Sequence, residues 1–246
     1  MNILGIIPAR YASTRFPGKP LVDIDGKSMI QRVYEQSSKA TLLSRVVIAT
    51  DDERIVAHVR EFGGQVMMTA PQHVSGTDRC AEVMRLDQEN KWDAVINIQG
   101  DEPYIQPEQI DLLCRCFENP DTSIATLVKI IKSSEELFNH NTAKVILNKN
   151  NEAIYFSRAP IPYFRNYPDQ EWIKHHTYYK HIGIYGYRSA MLQELANLPK
   201  TKLEIAESLE QLRWIENGYK INTAITSFES IAIDTPDDLL RIKTGV

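Results

Sequence analysis

Ile3-Leu4-Gly5-Ile6-Ile7-Pro8-Ala9-Arg10-Tyr11-Ala12-Ser13-Thr14-Arg15-Phe16-Pro17-Gly18-Lys19-Pro20 decides how the rest of this chain is read. Its first five residues are an apolar run with the character of a buried strand, and the run breaks at Pro8. Three cations, two hydroxyls and a glycine follow, in a segment too rich in proline for a regular helix. A loop at the carboxyl end of a central strand is where open α/β sheets bind ligands. Arg10 and Arg15 offer forked donors and Lys19 a compact charge, with Ser13 and Thr14 available for remaining acceptor oxygens. Such a loop suits a polyanion, most simply a nucleoside triphosphate.

Working outward, strands and helices alternate. Ser28 to Lys39 reads as a helix with Met29, Ile30, Val33 and Tyr34 on one face, and Arg45 to Thr50 as a strand. Asp51 or Asp52 caps a helix that ends at Phe62 before Gly63-Gly64. Gln65 to Thr69 is strand, about Thr77 to Glu89 helix and Ala94 to Ile98 strand, and Pro107 opens the next helix. This order predicts a mostly parallel sheet with helices on both faces. The middle departs from the rhythm. Ile124 to Ile131, Lys144 to Phe156 (broken by a turn at Asn148–Asn151) and Tyr178 to Tyr187 read as strands, so residues 124–187 form a β-rich insertion, partly an arm toward a partner subunit. Helices over Ser189–Leu198 and Ala206–Glu216, a largely extended Ile221–Ile233 and a helix capped at Thr235 complete the chain, read as one domain over 1–246.

Composition narrows the classes. At 246 residues with 43% hydrophobic content the chain can bury a sizeable core, and its net charge of −4 gives no basic field for nucleic acid. No apolar stretch approaches the roughly 20 residues that span a bilayer, and the amino-terminal run is too short for a signal peptide. Cys80, Cys114 and Cys116 fit neither a disulfide framework nor a zinc knuckle, so free thiols in a reducing cytoplasm are expected. The first loop lacks G-x-G-x-x-G, and Leu21 stands where a P-loop ending in Gly26-Lys27-Ser28 needs glycine. Hydride transfer and Walker-type hydrolysis are thereby set aside. Asp101 and Asp234 each follow an apolar strand. Read locally, either could be a turn or cap residue as readily as a metal ligand. Arg79, in a helix's first turns, reads as a surface arginine.

The loop Ile6–Leu21 resembles the signature of the sugar-acid cytidylyltransferases. The likeness continues through His73-Val74-Ser75-Gly76-Thr77-Asp78-Arg79, Asn97–Pro103, Tyr155–Pro162, His181–Tyr185, Leu209–Arg213 and Asp234–Leu239. It implies a Rossmann-like nucleotide-diphospho-sugar transferase fold, a homodimer, and transfer of CMP from CTP to the anomeric hydroxyl of 3-deoxy-D-manno-octulosonate for lipopolysaccharide biosynthesis. The same reaction on the 8-amino analogue or a nine-carbon sialic-type acid is the alternative.

It also implies roles. Pro8, Ala9, Arg10, Ser13, Arg15, Lys19, Ser75, Gly76 and Arg79 bind the nucleotide. Arg10 and Lys19 stabilise charge during transfer, and Asp101 and Asp234 hold magnesium, which bridges triphosphate and sugar acid. Arg158 meets the acceptor's carboxylate, and Gln99, His181, Tyr185, Glu210 and Gln211 complete the acceptor pocket. By their types alone, a lone histidine at a strand's start is ordinarily structural, and Glu210 and Gln211 on an amphipathic helix are ordinarily solvated.

Overall fold

The computed structural model describes residues 1–12, 16–87, 91–229 and 231–239. Strand β1 (Ile3–Ala9) is buried at every position but Pro8. A tight 3-10 turn over Lys19–Leu21 leads to a small hairpin, β2 (Asp23–Ile24) and β3 (Lys27–Ser28), and then to α1 (Met29–Ser37). The alternation continues with β4 (Arg45–Thr50), α2 (Glu53–Glu61), β5 (Val66–Met68), α3 (Gly76–Leu86), β6 (Ala94–Asn97) and α4 (Pro107–Arg115). Next come β7 (Ile124–Ile130), α5 (Ser134–Phe138), β8 (Lys144–Leu147), β9 (Ala153–Ser157), α6 (Trp172–His175) and β10 (Tyr179–Arg188). Helices α7 (Ser189–Ala196), α8 (Lys202–Glu207) and α9 (Gln211–Glu216), strand β11 (Asn222–Ile225) and a helical turn over residues 236–239 follow.

Local chemistry sets these boundaries. Ser28 Oγ accepts from Gln31 N at the start of α1. Asp52, of the two candidates, caps α2, and Gly63 takes the positive φ of 76° that ends it. Ser75 and Asp78 form a reciprocal capping box at α3.

The main sheet runs β11-β7-β10-β6-β1-β4-β5, with β8 and β9 off that path. Of these seven strands only β10 runs against the rest, so the sheet is mostly parallel. Alternation along β1 splits the core between two faces. Ile3, Ile7 and Ala9 pack with Ile30, Val33, Ile55 and Leu113 on one side. Leu4 and Ile6 pack with Cys80, Leu192, Leu212 and Trp214 on the other. Helices therefore cover both faces, as expected.

Three details differ from the sequence reading. The helix expected over Ala206–Glu216 is two helices, because Ser208 adopts the left-handed conformation at φ 52° and ends α8. Within the described part of Ile221–Ile233, only Asn222–Ile225 is strand. Part of the proline-rich loop before β10 forms α6, with Trp172 buried against Leu137 and Tyr178. Strands β7 and β10 of the insertion lie inside the central sheet, and the hairpin β8–β9 joins it by pairing β8 with β10.

Candidate active site

A cleft of about 250 Å³ opens where β1 and β6 end side by side. Its walls carry Pro8, Ala9, Arg10, Lys19, Ser75, Gly76, Arg79, Gln99, Asp101 and Asp234, gathered from four separate sequence blocks. Ser13 and Arg15 lie outside the described residues. The chain approaches itself closely here. A Cβ built on Gly100 would stand 2.7 Å from the Pro8 carbonyl oxygen, and one on Gly76 would stand 3.2 Å from Asn97 Nδ2. Two glycines thus let the β1 exit, the β6 exit and the α3 amino terminus share one rim.

Lys19 is the electrostatic centre of the cleft. Its Nζ donates to Asp101 Oδ2 at 2.8 Å and to Asp234 Oδ1 at 3.2 Å. The 3-10 turn at Lys19–Leu21 aims the lysine inward, and Gly18 N donating to the Tyr11 carbonyl closes the loop before it. Asp234 reaches Asp101 because Ile233 N donates to the Asp101 carbonyl at 2.9 Å, tying the carboxyl-terminal segment to the β6 exit. The two carboxylates therefore converge on one cation position.

The side of the cleft around Arg79 is more enclosed. Arg79 is buried rather than on the surface, its Nη1 donating to Thr69 Oγ1 at 2.5 Å and its Nη2 to Asp51 Oδ2 at 3.3 Å. His73, on the same rim, contacts Glu82 through Nε2, and Glu82 also accepts from Ala70 N at 2.8 Å. Burial raises the Glu82 pKa, yet the Ala70 N–H and His73 hold it below the usual value.

Of the residues expected at the acceptor pocket, Arg158, His181, Tyr185, Glu210 and Gln211 are not on the walls of this cleft. Gln99 links the two regions by donating from Nε2 to the Gly183 carbonyl at 2.8 Å, beside the irregularity between Ile182 and Tyr185 in β10. Tyr185 pairs in register with Asn97 of β6, and its ring meets Trp214 edge-on at 5.0 Å. Glu210 and Gln211 sit at the start of α9: Gln211 is buried rather than solvated, and Glu210, its side chain 28% exposed, accepts at Oε2 from Thr77 Oγ1 at 2.8 Å. Burial raises the Glu210 pKa and lifts that of Tyr185 well above 10.

His181 is held by Thr126 Oγ1 at 2.9 Å. That hydroxyl's one hydrogen is committed to the Ile184 carbonyl at 2.7 Å, so His181 Nε2 is the donor and Nδ1 the open acceptor. Burial pushes the His181 pKa down to about 3, which keeps the ring neutral.

Among the described residues, a layer of buried polar atoms has no hydrogen-bond partner: Asn97 Oδ1, Tyr185 Oη, Glu210 Oε1 and Gln211 Nε2 belong to it. Folded chains satisfy most such atoms, and each one left open costs about 1–3 kcal/mol. Together they suit a polyhydroxylated ligand. Asn97, Thr77 and Thr126 belong to this region and were not singled out by sequence reasoning: Asn97 and Thr126 sit within apolar runs, and Thr77 sits in a stretch that reads as a helix cap. Arg158 lies at the end of β9, its guanidinium bonded to main-chain carbonyls of Glu207, His140 and Ser208.

Comparison with known proteins agrees with this geometry. The profile of the cytidylyltransferase family matches residues 4–221. A Parabacteroides distasonis protein named 3-deoxy-manno-octulosonate cytidylyltransferase is 58% identical over 243 residues, covering 97% of this chain and 96% of that protein. One of the same name from Bacteroides thetaiotaomicron is 57% identical, covering 97% and 96%. A solved CMP:2-keto-3-deoxy-manno-octonic acid synthetase complexed with CTP superposes with a TM-score of 0.91 at 42% identity, covering 99% of this chain and 98% of that one. 4-Diphosphocytidyl-2C-methyl-D-erythritol synthase from Anaerococcus prevotii shares the fold alone, with a TM-score of 0.63 at 11% identity and coverage of 99% and 97%. With the match running from β1 through α9, this chain belongs to the cytidylyltransferase family.

Proposed function

We propose that the chain transfers CMP from CTP to the anomeric hydroxyl of 3-deoxy-D-manno-octulosonate, releasing pyrophosphate, and that the product serves lipopolysaccharide biosynthesis. The observation that carries this reading is one arrangement. Lys19 sits between Asp101 and Asp234 at the mouth of a cleft whose rim is β1 backbone and buried Arg79. The high identity to proteins named for this reaction supports it.

Each residue has a task in that reaction. Arg10 stands exposed on the cleft wall, where phosphate oxygens would meet it. Lys19 is shared between two carboxylates and can turn its charge toward the departing pyrophosphate. Pro8 and Ala9 backbone with Arg79 hold the base, Ser75 and Gly76 shape the α3 terminus beside it, and Arg158 takes the acceptor's carboxylate. The unpartnered atoms of Tyr185, Glu210 and Gln211, with Gln99 and His181, meet the acceptor's hydroxyls and align the anomeric oxygen with the α-phosphorus.

Asp101 and Asp234 converge on one cation position, and among the described residues no third His, Cys, Asp or Glu joins them. That donor set fits magnesium, which keeps water and takes phosphate oxygens beside one or two carboxylates. When bound, the ion neutralises the triphosphate and lowers the pKa of the attacking hydroxyl.

We further read the chain as a single domain that works in the cytoplasm as a homodimer, with the β8–β9 region as its arm. Ile154 on β9 and Tyr163 in the loop beyond it are 52% and 75% exposed, which gives this region apolar surface to cover. No described helix is long and apolar enough to cross a membrane.

The test is pyrophosphate release measured with each of the four nucleoside triphosphates, with and without octulosonate, and with magnesium or chelator. Release that requires CTP, octulosonate and magnesium together is expected. Equal use of UTP with a plain sugar phosphate would overturn the reading.

A further inference from the structure

Lys144 opens β8, and its side chain is wholly buried at 0% exposure. A buried ammonium is costly unless its donors are met. All three are met, and each by a main-chain carbonyl: Asn139 at 2.9 Å, Thr142 at 2.6 Å and Arg158 at 2.5 Å. Among the described residues Lys144 makes no ion pair. It gathers three stretches of backbone at one point, namely the end of α5, the turn that follows it and the end of β9.

Those stretches bear on one guanidinium. Arg158 Nη1 donates to the carbonyl of His140, inside the loop that Lys144 ties down. From the other side, Nε donates to the Glu207 carbonyl at 2.8 Å and Nη2 to the Ser208 carbonyl at 3.3 Å. The Glu207 carboxylate also accepts from Arg158 N at 2.9 Å and from Ser157 Oγ at 2.6 Å. Carbonyls orient the Arg158 guanidinium without neutralising it, and it forms no ion pair among the described residues. Three of its five N–H donors are used, which leaves two for an incoming carboxylate.

We infer that Lys144 is a positioning residue for acceptor binding: it holds the 139–142 loop and the Arg158 carbonyl so that the guanidinium presents its remaining donors in one plane. This rests on the reading that Arg158 takes the acceptor's carboxylate. Without the ammonium, three carbonyls lose their shared donor and the His140 support moves away from Arg158. The nucleotide cleft shares none of these contacts.

Steady-state kinetics of Lys144→Met, Lys144→Gln, Arg158→Ala and the double variant Lys144→Met/Arg158→Ala test the inference. Lys144→Met is expected to raise the octulosonate KM about tenfold, the scale of one hydrogen bond to a charged group, with the CTP KM within about twofold of the parent. Lys144→Gln keeps two donors and has a smaller effect. KM is independent of the fraction of enzyme that is active, so partial unfolding does not imitate the split. The double variant should show no octulosonate KM beyond that of Arg158→Ala alone, since Lys144 acts through Arg158. An unchanged octulosonate KM in Lys144→Met, equal rises for both substrates, or additive effects in the double variant would overturn the inference. So would failure of both Lys144 variants to fold, which would make the residue a fold determinant only. If Arg158→Ala leaves the octulosonate KM unchanged, the role given to Arg158 fails as well.

Discussion

At the scale of single residues, the site works by assigning each charged or titratable group one partner set. Lys19 is divided between two acids, and that division keeps both carboxylates turned toward one point. His181 shows the same economy with a neutral group: Thr126 fixes its tautomer and burial removes its charge, so the ring offers an acceptor at Nδ1 rather than a mobile proton. This has a consequence for stability. A base whose folded pKa lies near 3, against about 6.5 unfolded, binds fewer protons in the folded state. Its contribution is fully present above the unfolded pKa and is lost as pH falls from about 6.5 toward 3. Between pH 7 and pH 4.5 the parent should lose about 2–3 kcal/mol through this group. Urea unfolding of the parent and of His181→Gln at both values measures the difference. Equal losses in the two proteins would contradict the assignment.

At the scale of elements, the cleft depends on how closely two strand exits approach. Gly100 lets the β6 exit lie against the Pro8 carbonyl of β1, and a methyl group there would meet backbone at 2.7 Å. Gly100→Ala should therefore raise the CTP KM about tenfold and cost about 1–3 kcal/mol of stability, the usual penalty for overpacking a site that cannot relax. An unchanged CTP KM would refute the close approach. Most strands and most helices were legible because apolar runs, caps and glycine stops mark them locally. Asp52, Ser75 and Pro107 stand where such signals put them. The break between α8 and α9 was not legible, since Ser208 takes a left-handed conformation with nothing in its residue type to announce it. That break seats Gln211 in the interior and turns Glu210 onto the Thr77 hydroxyl, whereas an amphipathic pattern places both in solvent. Lys144 was equally hidden, because its three carbonyl partners come from separate stretches of chain.

At the scale of the whole molecule, a mostly parallel sheet places its ligand cleft beyond the carboxyl ends of β1 and β6. The one reversed strand of the seven-strand path, β10, lies beside β6 and carries His181 and Tyr185, which the proposed function gives to the acceptor. On the proposed reading, nucleotide and acceptor meet at a single seam, where Gln99 donates to the Gly183 carbonyl. The apolar surface near β9 predicts a particle of twice the 28.1 kDa chain mass by light scattering after size exclusion, and a mass equal to one chain would contradict the dimer. The central claim is that the acceptor's anomeric oxygen attacks the α-phosphorus of CTP. Octulosonate labelled with oxygen-18 at that hydroxyl, followed by phosphorus NMR of the products, tests it directly. An isotope shift on the phosphorus of the CMP–sugar product and unlabelled pyrophosphate are expected. Label in pyrophosphate, or a CMP–sugar product whose bridging oxygen carries none, would contradict it.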